Sequence, residues 1–454
     1  MESHHSIHIK SFNKKGWGVG HSEKGAIEVF GALPAEEVEV ALGRWRRGKC
    51  RGELKAVTGP SASRIEPKCR YVAQCGGCIW QQMDYEAQLR VKEERLRELF
   101  GSDVLRPIIP CAVPWQYRNK MEFSFSQNKA GERFLGLVIA GSKGHVLNLQ
   151  ECHLVSDWFV GVLTAVRTWW EASGLDAYRM NGTGALRTLI VREGKRTGDK
   201  LVMLTVSGNP AYAMTKAQIG DFVEAVTGVV GKERVALFLR VQQACKGSPT
   251  QFFEMHLSGP DHLTEKCIVE GKEYTFKISP SSFFQPNTFQ AEKLYAEALK
   301  MIQGTKEHIM DLYAGIGTLG LICAQKAHCV TSIELNPYAV YDGEVNKELN
   351  GVEHCSMVQG DVGKALESLR QKEGFVAPDM VIVDPPRTGL DEAAMGHLKA
   401  LDPKEIIYIS CNPATQAANS EELAKAGYRV EVVQPVDQFP HTIHLETIAL
   451  LKRL

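Results

Sequence analysis

The chain has 454 residues, 44% of them hydrophobic and 23% charged. That is more than one core usually organises, and a prior of roughly 150 residues per domain suggests about three globular domains, excluding wholesale disorder or a collagen-like chain. Its 53 basic and 53 acidic side chains cancel, so any polyanion must be met by a local patch.

MESHHSIHIK lacks the apolar stretch of a secretory leader, and no run of about 18 apolar residues follows. A cytoplasmic protein without a membrane span is expected. Next, IHIKSF, KGWGVG, GAIEVF and EEVEVALGRW read as short strands between glycine turns, with Val38, Val40 and Leu42 alternating. The pattern predicts a small N-terminal β-barrel, OB-like in size, over 1–62. From Met1 to Lys68 twelve Lys and Arg stand against eight Glu and no Asp, and the excess is densest in RWRRGKCR, Arg44 to Arg51. With Trp17 and Trp45 nearby, such a barrel can neutralise phosphates and stack bases, as small RNA-binding barrels do. A solvated basic strand end is the alternative. The segment resembles the TRAM domain that accompanies several RNA-modifying enzymes.

TGPSASRIEPK reads as a linker into a cysteine cluster. Twelve cysteines are too sparse for a disulfide scaffold, but Cys69, Cys75 and Cys78 fall within ten residues, and Cys152 in LQECHLV is a candidate fourth ligand. The spacing permits zinc or an iron–sulfur cluster. YEAQLRVKEERLRELF has helical periodicity, and Tyr117 to His256 mixes strands such as LVMLTVSG with helical stretches such as AYAMTKAQIGDFVEAV. Residues 63–278 are therefore expected to form an α+β domain that carries the cysteine cluster.

From 279 onward helix and strand alternate, and the last two extended runs lack a helix between them. This predicts a doubly wound, Rossmann-like α/β domain over 279–454 that ends in an antiparallel strand. In DLYAGIGTLG, Gly315, Gly317 and Gly320 satisfy a GxGxxG turn, and Glu334 ends the next strand where an acid can hold the ribose of an adenosine. Asp311 would repel a pyrophosphate yet attract the methionine ammonium, which favours S-adenosylmethionine over a nicotinamide cofactor. A turn or capping role is the plainer reading of Asp311.

VDPPRTG and YISCNP end two later strands whose carboxyl ends should face the same crevice. Carbon five of uracil is too weak a nucleophile to take a methyl group unaided, so a thiolate must first add to carbon six. Cys411 suits that role, with Asp384 aligning the polar edge of the ring. A helix follows Cys411, and its amide dipoles are expected to lower the thiol pKa. Glu446 in HTIHLE is the candidate base for the carbon-five proton. A purine N-methyltransferase would leave Cys411 without a task, and a non-enzymatic RNA-binding module is the remaining class.

DLYAGIGTLG, DPPRTG, SCNP, DQFPHTIHLE and FFQPN together resemble the RNA uridine-5-methyltransferase family over essentially the whole chain. The resemblance implies that Cys411 is the nucleophile and Glu446 the base. It also implies that Gln285, Tyr313, Glu334 and Asp384 line the cofactor and uracil pocket, with Asp361 toward the adenine. Cys69, Cys75, Cys78 and Cys152 are implied to hold a four-iron, four-sulfur (4Fe-4S) cluster with a structural or RNA-positioning role. Thr318 departs from the family, some of whose members carry a small amide there. Barrel plus cluster looks like the branch that modifies 23S ribosomal RNA rather than transfer RNA. The expected partner is RNA presenting an unstacked uridine, with no obligate protein partner.

Overall fold

The computed structural model describes residues 4–244 and 247–454. The first six strands are β1 (His4–His8), β2 (Ser11–Phe12), β3 (Gly18–Ser22), β4 (Gly25–Val29), β5 (Glu37–Leu42) and β6 (Lys49–Gly59), ordered β1-β5-β6-β4-β3-β2. β1 and β2 are halves of one bent strand lying at opposite ends of this order, and Lys10 between them donates to the Val19 carbonyl at 2.8 Å. The sheet therefore closes on itself around Ile7, Ile9, Ile27, Val29, Val38, Val40 and Cys50.

The basic end of this barrel divides in two. Arg44, Arg46 and Arg47 are exposed. Arg51 instead donates to the carbonyls of Gly141 at 2.7 Å and Ala140 at 2.9 Å, docking the barrel on the following domain. The tryptophans correct the expectation of base stacking. Trp45 packs against the barrel core, and Trp17 is buried against Phe30, with Arg51 4.5 Å and Lys15 5.5 Å from its ring centroid.

After α1 (Tyr85–Phe100) come β7 (Lys120–Gln127), β8 (Arg133–Val138), β9 (Val146–Asn148), α2 (Asp157–Ala172), β10 (Leu186–Glu193), β11 (Lys200–Ser207), α3 (Lys216–Val230), β12 (Val235–Gln243) and β13 (Gln251–Ser258). Their seven strands form one mixed sheet, β13-β12-β11-β10-β7-β8-β9. Helix α3 starts at Lys216, later than the apolar pattern suggests, because Thr215 and Gln218 form a reciprocal capping box. α2 and α3 cover one face of this sheet through Val162, Val166, Trp169 and Phe222. On the other face Ile190, Met203 and Phe238 share a core with the hairpin β14 (Leu263–Val269) and β15 (Lys272–Ile278).

The last sheet contains β16 (Lys306–Leu312), β17 (Ala327–Glu334), β18 (Cys355–Gln359), β19 (Met380–Val383), β20 (Glu405–Ser410), β21 (Tyr428–Val436) and β22 (Glu446–Arg453), in the order β18-β17-β16-β19-β20-β22-β21. β22 alone runs antiparallel to its neighbours. The helices are α4 (Thr288–Met301), α5 (Thr318–Cys323), α6 (Pro337–Leu349), α7 (Val362–Arg370), α8 (Glu392–Leu401) and α9 (Pro413–Ala424). Residues from the middle of the chain pack here too. Leu105 and Ile109 bridge to Val433 and Val436, supplying the edge strand β21 with partners, and Leu89 and Leu96 of α1 cluster with Leu445. Among the described residues no helix is long and apolar enough to cross a membrane.

Candidate active site

Register assembles the crevice. Leu312 stands beside Val383, and Val383 beside Tyr408, so Tyr313 and Asp384 leave the carboxyl ends of adjacent parallel strands. Ser410 pairs antiparallel with Thr447, which sets Cys411 and Glu446 opposite each other at the next strand end. Four residues distant in sequence thus meet where ligands bind in open α/β sheets.

The glycine turn is built around a carboxylate. Asp311 is fully buried, its Oδ2 accepts from the Gly320 amide at 2.8 Å, and its Oδ1 has no partner among the described residues. Burial pushes its carboxyl up to about 7. A Cβ on Gly320 would lie 2.4 Å from Ser332 Oγ, which explains that glycine, and Gly317 takes a left-handed φ of 78°. Glu334 accepts from the amides of Gly315 at 2.9 Å and Asn336 at 2.8 Å, so the strand-end acid is pinned to the turn. Tyr313 has a φ of 64° just past β16, and its hydroxyl is pushed up to about 12 by burial, then by Asp391 and Asp361. Asp361 itself caps α7. Thr318 is the first residue of α5.

Gln285 is buried, and its Oε1 accepts from Gln438 Nε2 at 3.2 Å. Gln438 Oε1 is a buried acceptor without a partner among the described residues, a polar position that sequence reasoning missed.

At the centre, Cys411 is half-buried and Glu446 fully so. Arg387 of the DPPR turn places its charge near the thiol, a role that sequence reasoning missed. The expected low thiol pKa is overturned. Burial, then the carboxylates of Glu446 and Asp384, push Cys411 up to about 11 against the opposing charge of Arg387. Burial raises Asp384 to about 7, and burial, then the Asp384 carboxylate, raises Glu446. Glu446 Oε2 has no partner among the described residues.

The loop leading to Glu446 is tied down from outside the sheet. Lys92 of α1 donates to Asp437 Oδ1 at 2.6 Å and Tyr85 to Asp437 Oδ2 at 2.8 Å. The amides of Ile79 and Trp80, beside Cys78, donate to the His441 carbonyl at 2.9 and 3.1 Å. No local pattern announces these contacts.

Residues 254–454 match the family model of the tRNA (Uracil-5-)-methyltransferases. An uncharacterised RNA methyltransferase of Protochlamydia amoebophila is 45% identical over 94% of this chain and 99% of its own length. The chain belongs to this family of RNA methyltransferases. A Chlamydia trachomatis relative is 35% identical over 85% of this chain and 98% of its own. Among solved structures, the Pyrococcus abyssi tRNA (uracil-54, C5)-methyltransferase in complex with S-adenosyl-L-homocysteine superposes with a TM-score of 0.75 at 23% identity, over 98% of this chain and 99% of that one. The fold is thus shared from end to end.

In this RNA methyltransferase a second thiol site lies outside the matched segment. Cys69, Cys75, Cys78 and Cys152 line one closed pocket with Val72, Leu137, Leu149 and Leu154. The amides of Tyr71 and Gly77 each donate at 3.4 Å, to Cys69 Sγ and Cys75 Sγ. Burial pushes Cys75 up to about 11 and Cys78 up to about 12. Among the described residues no three His, Cys, Asp or Glu side chains stand at distances that would hold a single metal ion.

Proposed function

We propose that the chain methylates carbon five of a uridine in RNA, with Cys411 as nucleophile and Glu446 as base. The observation that carries this is the convergence of Cys411, Arg387, Asp384 and Glu446 at neighbouring strand ends beside the glycine turn. S-adenosylmethionine fits that turn: Asp311 offers an unpartnered buried oxygen to the ammonium, Glu334 lies where the ribose would sit, and Gln285, Tyr313 and Asp361 flank it. When bound, it supplies the methyl electrophile.

The chain's own residues do the rest. Arg387 stabilises the Cys411 thiolate, whose proton leaves to solvent through the half-exposed side. Sulfur then bonds carbon six, and the displaced electron pair moves onto the carbon-four oxygen as an enolate, which makes carbon five nucleophilic. The Asp384–Glu446 pair shares one proton. With Asp384 holding it as a donor to the ring edge, Glu446 is free to take the carbon-five proton after methylation, and the thiolate is expelled.

The barrel over 1–62 and the α+β stretch over 63–278 are assigned to holding RNA, and 279–454 to catalysis. The convergence of Cys69, Cys75, Cys78 and Cys152 in one pocket, with amide donors to two of the sulfurs, supports a four-iron, four-sulfur cluster there. Its role is to hold the loop whose Ile79 and Trp80 amides grip His441.

Large-subunit ribosomal RNA remains the substrate read from the resemblance. The Pyrococcus enzyme that shares the fold acts on transfer RNA, so the fold does not by itself select ribosomal RNA, and transfer RNA stands as the second reading. Mass mapping of methylated uridines in both RNAs, from cells with and without the gene, decides between them.

The mechanism is tested by Glu446→Gln, which keeps shape but cannot accept the carbon-five proton. With S-adenosylmethionine and substrate RNA, this variant is expected to accumulate a methyl-labelled covalent complex on a denaturing gel. Adding Cys411→Ala should abolish the complex. Full turnover by Glu446→Gln would move the base elsewhere.

A further inference from the structure

A cavity of 430 Å³ lies at the seam of the barrel, the cysteine loop and the catalytic loops, within the roughly 300–1,000 Å³ typical of ligand sites. The barrel contributes Lys14, Lys15 and Trp17, the cysteine loop Gly76 and Gly77, and the catalytic side Arg387 and Thr442 to His444, with Arg118 between them. No carboxylate lines it. Neither Lys14, Lys15, Arg118 nor Arg387 has an ion-pair partner among the described residues. Arg118 Nε is buried without a hydrogen-bond partner, and its Nη1 reaches only Met121 Sδ at 3.9 Å.

The backbone that carries the two lysines is held in place, while their side chains are exposed. Asn13 Oδ1 accepts from the Lys15 amide at 2.8 Å and the Trp17 amide at 3.1 Å, and Gly16 N closes the turn on the Asn13 carbonyl at 2.9 Å. Trp80 Nε1 donates to the Gly16 carbonyl at 2.9 Å, which seats the lysine turn on the cysteine loop. Gly16 has a φ of 77°, and a Cβ there would meet Ile79 Cδ1 at 2.4 Å. Four like charges gathered in one concavity repel, and in a chain of zero formal net charge they make a strong local field. The neighbouring His444 feels it: burial, then Arg387, Lys92, Arg118 and Arg95, lower its imidazole to about 4.

Arg387 lines the catalytic side of the cavity and also places its charge near the Cys411 thiol. Outward, a larger cavity of 690 Å³ shares Phe30 and Ala140 with it and runs to Gly43, beside the exposed Arg44. The two cavities adjoin there, the larger one lined also by Glu53, and reach from Arg387 toward the basic end of the barrel.

We propose that this cavity seats the phosphodiester backbone of the RNA strand flanking the target uridine, with Arg387 meeting the phosphate nearest the extruded nucleotide and Lys14 and Lys15 the next ones outward. This rests on the RNA-methyltransferase reading for the identity of the polyanion. It moves the main electrostatic grip from Arg44, Arg46 and Arg47 to the lysine turn.

The test uses the full chain and a fluorescein-labelled oligouridylate, read by anisotropy from about 50 to 300 mM KCl. Lys14→Ala/Lys15→Ala is expected to bind about tenfold more weakly at the lowest salt. The slope of log affinity against log salt should become shallower by about 1.4, two contacts at about 0.7 each for a single strand. S-adenosylmethionine affinity by calorimetry and the thermal midpoint should not move, since both lysines are exposed. Arg44→Ala/Arg46→Ala/Arg47→Ala should change the slope less than the lysine pair does. An unchanged slope for the lysine pair, or a larger change from the arginine triple, overturns the proposal. Uridine methylation by the wild-type chain is scored separately. Its absence with the lysine effect intact would sink the methyltransferase reading and leave the polyanion site standing, whereas methylation with no lysine effect would sink only the site.

Discussion

The two thiol sites of this protein use the same residue type in opposite surroundings. In the cysteine pocket four sulfurs share a closed, apolar-walled space, and each thiol is raised mainly by burial. In the crevice a single sulfur meets a guanidinium on one side and two carboxylates on the other, and solvent still reaches it. Four thiols gathered in one pocket would gain by losing their protons together to a shared cationic group, as the proposed cluster requires. One thiol flanked by a cation and a base can instead form and release a bond to a substrate. Number and neighbours, rather than cysteine itself, separate a structural site from a catalytic one.

The sharpest way to break this comparison is to remove one sulfur from each site. Cys411→Ala is expected to lower methyl transfer by at least about 10⁴-fold, since nothing else in the crevice can add to carbon six. Iron content and thermal midpoint should stay unchanged. Cys75→Ser should do the reverse: iron falls from about four per chain to near zero, the midpoint drops by several degrees, and activity declines by about 10–100-fold through the displaced His441 loop, with S-adenosylmethionine affinity retained. Iron and sulfide analysis, scanning calorimetry and methyl incorporation check both. Iron lost in Cys411→Ala, or cofactor affinity lost in Cys75→Ser, would merge the two sites into one.

The four cysteines of the first site could be read along the chain, and so could much of the second. Strand, glycine turn and helix stand in sequence order from Asp311 to Gly320, and EIIYIS and YRVEVVQPV coincide with β20 and β21. The start of α3 was also legible, in the Thr215–Gln218 capping box, but apolar periodicity overrode it. What stayed hidden came from elements remote in sequence. Arg387 and Gln438 acquire their roles only when β19, β20 and the loop before β22 meet. Lys92 finds Asp437 across most of the chain. Trp17 reads as an exposed stacking platform until Arg51 and the Phe30 ring cover it. The thiol pKa failed for the same reason: the helix dipole is local and visible, whereas the burial that chiefly raises the thiol, and then the carboxylates, come from other strands.

That misreading supplies the smallest and most direct measurement. A thiol depressed by a helix would alkylate rapidly at neutral pH and change little above it, because the thiolate is the reactive form. Cys411 stands up at about 11, chiefly through burial and then through Glu446. Its reaction with iodoacetamide, followed on its own peptide by mass spectrometry, should therefore rise about tenfold per pH unit from about pH 7 to 10, without a plateau. Glu446→Gln removes a repelling charge, so its profile should shift to lower pH and its neutral rate should increase. Arg387→Ala removes the stabilising cation and should shift the profile upward and slow the neutral rate. A plateau near pH 7 in the wild-type chain would restore the depressed thiol, whereas opposite shifts in the two variants would establish that the thiol is tuned by the pair of charges flanking it.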